Sequence, residues 1–326
     1  MSDDPSVQPA SPSERMPSTR WRRVGGTILG VVVMGVLVVV LARQIQWEEV
    51  SWQRWLQSFG YDTVLVTGVI LAVATALMLW IWGSMLAAVD PAGQSVSWRR
   101  HFGIYLSTAL GKRLPGALWH VASRTVLYNR AGIRKRVVLA VSGMEVLFMT
   151  ASGALLALLF LPSILPLLRD NRLLLLGLAA LLVFSLISLH PRVLHRLSLG
   201  RELKRHTIPA RLQFQWRVAC GAIWLLGGAL VAYIASQLAP VQPDVIPYLV
   251  ASWIIAALIG TVTLILPAGF GIADLSLAYF LSFAIPAAEA AFVAVAVRLL
   301  AKLWDVLMPL LSGAIALFSG RDNPSG

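Results

Sequence analysis

The feature that most constrains this chain is a series of windows about 20 residues long that carry almost no charge. Coiled as an α-helix at about 1.5 Å per residue, such a window crosses the roughly 30 Å hydrocarbon layer of a bilayer. Windows of this kind lie at 24–42, 63–89, 137–161, 172–190, 218–239 and 247–266, and a last long helix is expected near 288–318. A short apolar piece, 274–285, precedes that helix, and counting it gives eight crossings. Composition agrees, because 58% of the residues are hydrophobic and only 13% are charged, against about 25% charged in a soluble domain. A transmembrane barrel would show alternating segments of about 10 residues instead. The expected fold class is an all-α polytopic membrane protein with about eight transmembrane helices.

The net charge of +12 raises nucleic acid as a partner, but Lys and Arg also collect in the cytoplasmic loops of membrane proteins. Their distribution favours the second reading, and no nucleic-acid partner is expected. The amino-terminal tail holds four, the 90–136 region nine and the 190–217 region seven, whereas the intervening loops hold only Arg43 and Arg54, then Arg169 and Arg172. This alternation places both termini in the cytoplasm of a multi-pass protein of the cell membrane. Residues 1–23 are polar and rich in Ser and Pro, a disordered cytoplasmic tail. The run from Val24 to Ala42 exceeds a signal-peptide core and lacks a small-x-small cleavage site, so it reads as a retained first span. A single transmembrane domain, 24–318, and a short cytoplasmic tail, 319–326, complete the organisation. Trp52, Trp55, Leu56 and Phe59 recur at helical spacing, an interfacial helix with Trp47 as anchor. The single cysteine, Cys220, excludes an intramolecular disulfide and a cysteine metal cluster.

Two regions break the pattern. Residues 98–110, WRRHFGIYLSTAL, make a helix about 20 Å long, too short to span. Gly111–Gly116, with Pro115, interrupts it, and a second mixed helix runs from Ala117 to about Arg130. The pair reads as a re-entrant hairpin, tolerated at membrane depth only against protein or a watery cavity; the alternative is two helices lying flat on the cytoplasmic surface. The second break, LPAGFGIADLSL at 266–277, carries Pro267, Gly269 and Gly271. Paired interrupted segments in the two halves of a chain point to a transporter's binding site.

Charges inside spans are costly and mark function. Glu145 lies within the third span, and Arg298, Lys302 and Asp305 share one face of the last helix through spacings of four and three. Glu145 and Asp274, or a lipid phosphate, are the expected partners of these cations; a closed structural network is the alternative. Near the first break, Lys112, Arg113 and Arg124, with backbone N–H groups near Gly116 and Trp119, form a candidate phosphate site at a helix amino terminus. Trp119 suits headgroup depth. His120 reads more readily as a hydrogen-bonded structural residue than as a proton carrier.

Familiar catalytic motifs do not fit. GIYLSTALGKR has the wrong glycine spacing for a phosphate-binding loop, with Arg113 where Ser or Thr is needed. GFGIAD lacks the third glycine of a dinucleotide fingerprint and follows a span. The five histidines have no metal-ligand partners at useful spacing, so neither metal nor cofactor is expected.

At the broken segments the chain resembles the lysylphosphatidylglycerol synthase transmembrane region, a family also called flippase-like membrane proteins. The residues that carry the resemblance are GKRLPGALWHVASR (111–124), NRAGI, SGMEV with Ser142 and Glu145, LPAGFGIAD, and AVAVRLLAKLWD with Arg298. It covers nearly all of 24–318. The resemblance implies eight spans with re-entrant segments, and movement of a lipid or lipid-linked headgroup between leaflets. It also implies a stand-alone member, because the chain ends at Gly326 without the soluble domain that synthesises aminoacylated lipid in bifunctional members. Ala268 and Asp274 stand where the family often has Gly and Glu, so a shorter acid reaches less far at 274.

The expected function is translocation of an anionic or aminoacylated phospholipid, or of a lipid-linked intermediate. Lys112, Arg113 and Arg124 would collect the headgroup, and Ser142, Glu145, Asp274, Arg298, Lys302 and Asp305 would form the intramembrane polar path. The expected partners are membrane lipids; lipid- or glycan-synthesis enzymes and a second copy of the chain are the candidate protein partners. Two rivals stand beside it. One is an integral-membrane transferase with a lipid-phosphate donor and Glu145 or Asp274 as base. The other is a non-catalytic scaffold of a lipid or glycolipid synthesis complex.

Overall fold

The computed structural model describes residues 59–90, 96–109, 119–163, 208–263 and 271–319, apart from a few isolated positions elsewhere. The spans expected at 24–42 and 172–190, the interfacial helix around Trp52, and Lys112, Arg113, Pro115, Gly116, Pro267 and Gly269 lie outside the described residues.

Within them the protein is helical: α1 (Tyr61–Val89), α2 (Trp98–Ala109), α3 (Trp119–Arg130), α4 (Lys135–Leu159), α5 (Ala210–Leu238), α6 (Ile246–Thr263), α7 (Ile272–Leu281) and α8 (Ala287–Ser319), with a 3-10 turn at Pro243–Val245 before α6. Four helices are long and apolar enough to cross a bilayer: α1, α4, α5 and the Pro243–Thr261 stretch that holds most of α6. Their burial ranks them. In α4, 72% of the apolar window is buried, against 17% in α1, so α4 is the central post and α1 a peripheral helix with an apolar outer face.

The short helices form two antiparallel hairpins. In α2–α3, Thr108 meets Arg124 while His101 meets Tyr128, and Arg100 donates to the Arg130 carbonyl oxygen at 3.2 Å. In α6–α7, Gly260 lies against Ala273, and the Tyr248 hydroxyl donates to the Phe280 carbonyl oxygen at 2.8 Å. Glycine supplies the sharp start of α7, since Gly271 has φ 93°, a conformation that a side chain disfavours.

The hairpins enter the bundle from opposite ends. The base of α2–α3 lies where α1 finishes and α4 begins, an end tied by an Arg134–Asp90 ion pair at 3.6 Å. The base of α6–α7 lies at the other end, where α5 finishes and α8 begins. Each hairpin has its own apolar cluster. Trp82, Tyr128, Val141 and Trp216 belong to the first; Ile234, Ile254, Phe280 and Val293 belong to the second. Helix α5 contributes Cys220 to one and Trp224 to the other, and Met149 of α4 packs against both.

Without a strong hydrophobic drive between helices in lipid, close packing and interhelical hydrogen bonds hold such bundles together. Gly153 and Gly227 seat the indole rings of Trp224 and Trp253, so close that a Cβ at either glycine would fall within 3 Å of ring atoms. Tryptophan N–H groups then tie helix to helix: Trp224 to the Met149 carbonyl oxygen at 2.8 Å, Trp216 to Ser84 Oγ at 2.6 Å, and Trp304 to Thr75 Oγ1 at 2.9 Å.

Candidate functional site

The centre of the first cluster is charged. Glu145 is ten residues past Lys135, the first residue of α4, so it lies about 15 Å along the axis. Arg124 comes from α3, and its Nη1 donates to Glu145 Oε2 at 2.7 Å. The Tyr105 hydroxyl of α2 donates to Glu145 Oε1 at 3.0 Å, so both carboxylate oxygens are engaged. Arg124 Nε points at Thr108 Oγ1, 3.4 Å away. Its guanidinium carbon sits 4.2 Å from the Trp82 ring centre and 4.3 Å from that of Tyr105, a desolvated cation between aromatic faces. Arg124 is fully buried, and its Nη2 has no hydrogen-bond partner among the described residues.

A second layer fixes the first. Trp82 Nε1 donates to the Tyr128 hydroxyl oxygen at 2.9 Å, and the same hydroxyl is hydrogen-bonded to His101 Nδ1, also at 2.9 Å.

The Glu145 side of this ion pair borders a cavity of about 410 Å³ at the junction of the two apolar clusters. Glu145, His120, Thr150 and Thr261 give it polar points, and Trp224 and Trp253 give it aromatic walls. A smaller cavity of about 160 Å³ lies on the other side of Tyr105, bordered by Trp304 and Asp305 of α8. Met78 of α1 lines both. The Tyr105–Glu145 hydrogen bond and Met78 therefore stand between the two spaces.

A second ion pair joins Arg298 of α8 to Asp274 in the first turn of α7. Arg298 is eleven residues past Ala287, about 16 Å into the helix. Arg298, Lys302 and Asp305 are each partly buried, whereas Leu299, Leu303 and Val306, each next to one of them in sequence, are exposed. The inward charged face that the spacing predicts is present.

The partners differ from expectation in two respects. Asp274 takes Arg298, as proposed from sequence, but Glu145 takes Arg124 rather than a cation of α8. Arg124 is not an open headgroup collector in this state; it is sealed by Glu145, Trp82 and Tyr105. Trp119, at the start of α3, is 54% exposed, a position open to solvent or lipid. The Ser142 hydroxyl donates to the Val138 carbonyl oxygen of its own helix at 2.9 Å, so its proton is engaged locally. His120 borders the larger cavity one turn before Arg124.

Sequence reasoning missed Tyr105, Thr108, Trp82, His101 and Tyr128. A signal existed. His101, Tyr105 and Thr108 recur at spacings of four and three, and His120, Arg124 and Tyr128 at four and four. Each set lines one helical face, and the two faces meet.

Four bilayer-length apolar helices around buried charge define a multi-pass α-helical membrane protein. The chain belongs to the family described as the lysylphosphatidylglycerol synthase TM region, whose model matches residues 27–308. No curated protein matches it.

Proposed function

We propose that this protein moves an anionic or aminoacylated phospholipid, or a lipid-linked intermediate, between the leaflets of the cytoplasmic membrane. The observation that carries the reading is the Arg124–Glu145 pair buried at the edge of a 410 Å³ cavity. A buried ion pair contributes little net stability and costs desolvation, and ionisable groups at membrane depth serve substrate or ion paths. The two hairpins are re-entrant segments in this reading. They bring the total to eight crossings, with both termini cytoplasmic and the α2–α3 base on the cytoplasmic side. Lys112 and Arg113 meet the headgroup first, and Arg298, Lys302 and Asp305 continue the path. The lipid leaves chemically unchanged, and no cofactor takes part. A transferase reading is less favoured, because both carboxylate oxygens of Glu145 are already engaged, one by Arg124 and one by Tyr105.

Purified protein in vesicles tests this with labelled phosphatidylglycerol, aminoacyl-phosphatidylglycerol and a polyprenyl-phosphate sugar. At least one lipid exchanges between leaflets well above the rate in empty vesicles, and Arg298→Ala slows it. Equal rates with and without protein across the panel overturn the proposal, and a chemically altered lipid moves it to the transferase.

A further inference from the structure

The Arg124–Glu145 unit carries no net charge, and this sets a condition on any anion that reaches it. Arg124 is fully buried and Glu145 is 7% exposed. Bringing a phosphate to this place without a compensating charge would leave an unpaired anion in a poorly solvated interior, which is strongly unfavourable. Yet Arg124 has capacity to spare, since Nη2 has no partner among the described residues. A guanidinium fork suits phosphate as well as carboxylate. The group that holds the fork now is the chain's own carboxylate, and that carboxylate borders the cavity.

We propose that Glu145 is the coupling site: an anionic lipid headgroup takes its place on Arg124 only when Glu145 takes up one proton from the cavity. The inference rests on the translocation reading above. The exchange balances. One O–H bond forms, on the Glu145 carboxyl; Arg124 stays cationic; the lipid phosphate replaces the carboxylate as its counter-anion; and the net charge of the site is zero before and after. No bond in the lipid breaks. The Tyr105 hydroxyl, 3.0 Å from Oε1, still has an oxygen to donate to after the carboxyl is protonated, so the acid has a place to rest.

The groups around Glu145 narrow the choice. Helix α2 brings Tyr105, with His101 behind it on Tyr128. Helix α3 brings Arg124 and, on the cavity wall, His120. Helix α5 brings Cys220, and its Arg217 lies over the Phe148 ring, 5.2 Å away. Helices α1 and α6 bring Met78, Trp253 and Thr261, none of which titrates. Asp305 of α8 lines the small cavity beyond Tyr105, with Lys302 three residues before it. Arginine, lysine and tyrosine hold their protonation state across neutral pH. Of the described residues on the larger cavity, only Glu145 and His120 can exchange a proton there, and of these Glu145 is the one bonded to Arg124.

The test is the leaflet exchange of labelled phosphatidylglycerol by the full chain at symmetric pH values across the neutral range, with Glu145→Gln and His120→Gln beside it. Wild type slows by up to about tenfold per pH unit on the alkaline side, the slope of one linked proton. Glu145→Gln, neutral at every pH and of the same shape, exchanges at a rate that does not vary with pH. His120→Gln keeps the wild-type profile. A flat wild-type profile overturns the inference and leaves translocation standing, as does a profile that survives Glu145→Gln or vanishes in His120→Gln. Absence of exchange of any lipid sinks both. Should Glu145→Gln fold poorly, proton uptake by wild type decides: adding phosphatidylglycerol to weakly buffered protein in detergent withdraws about one proton per lipid bound, and no uptake refutes the coupling.

Discussion

The two ion pairs differ in how completely the protein encloses them. Arg124–Glu145 has side chains 0% and 9% exposed, whereas Arg298–Asp274 has side chains 30% and 26% exposed. The first is enclosed by Trp82, Tyr105 and Thr108, which come from α1 and α2. The second lies at the head of α7 with a further cation and a further carboxylate, Lys302 and Asp305, within two turns of α8. The difference teaches that the same chemistry has two uses. An enclosed pair cannot lose a member unless a proton and a replacement anion offset the loss, whereas an open pair can exchange partners with water and its neighbours. The largest effect expected from breaking this comparison is therefore Arg124→Ala. It strands Glu145 and costs about 3–5 kcal/mol, read as a fall in thermal unfolding temperature in detergent. A loss under 1 kcal/mol would mean that Glu145 finds a neutral form or another partner without strain.

Tyr105→Phe probes the enclosure with a smaller change. The ring keeps its place against the guanidinium, 4.3 Å away, and only the hydroxyl on Glu145 Oε1 is lost. Removing a hydrogen bond to a charged group costs about 1.5–3 kcal/mol. Combined with Arg124→Ala, the two losses should add to less than their sum, since each removes support from the same carboxylate. Strict additivity in detergent melts would show that Tyr105 and Arg124 act on Glu145 independently.

The sequence announced the general architecture more clearly than the pairings. The apolar windows that predict α1, α4, α5 and α6 depend on length and composition, which one chain displays directly. The breaks were legible for the same reason: a helix of 12 residues such as α2 cannot span, whatever its surroundings. Asp274 and Arg298 were matched because few charges lie in the last third of the chain. Glu145 was matched wrongly because periodicity assigns residues to helix faces and says nothing of which faces meet. The antiparallel register of α2 and α3 puts Arg124 beside Thr108, and the packing of that hairpin on α4 brings both to Glu145. That depends on the register in which α3 runs back along α2, which no side-chain period encodes. The aromatic walls of the cavity were hidden for a related reason. Trp224 and Trp253 lie inside long apolar windows, and it is their glycine seats at 153 and 227 that aim them.

The smallest expected effect is the most discriminating. Asp274→Asn removes the carboxylate charge from the open pair and keeps its shape. Arg298, whose side chain is 30% exposed, is then left partly solvated rather than bare in a sealed interior. An ion pair with that exposure contributes about 0–1 kcal/mol, so the detergent melt should move far less than for Arg124→Ala. Lipid exchange should respond differently. If the open pair lies on the headgroup path, removing its carboxylate leaves Arg298 a stronger anion trap, and exchange slows because the lipid is released late rather than because it fails to bind. Binding of phosphatidylglycerol would tighten while turnover falls, a split that simple damage to the fold does not produce. A melt shift as large as that of Arg124→Ala would instead place the Arg298–Asp274 pair in a second enclosed core, and the contrast between an enclosed pair and an open one would fail.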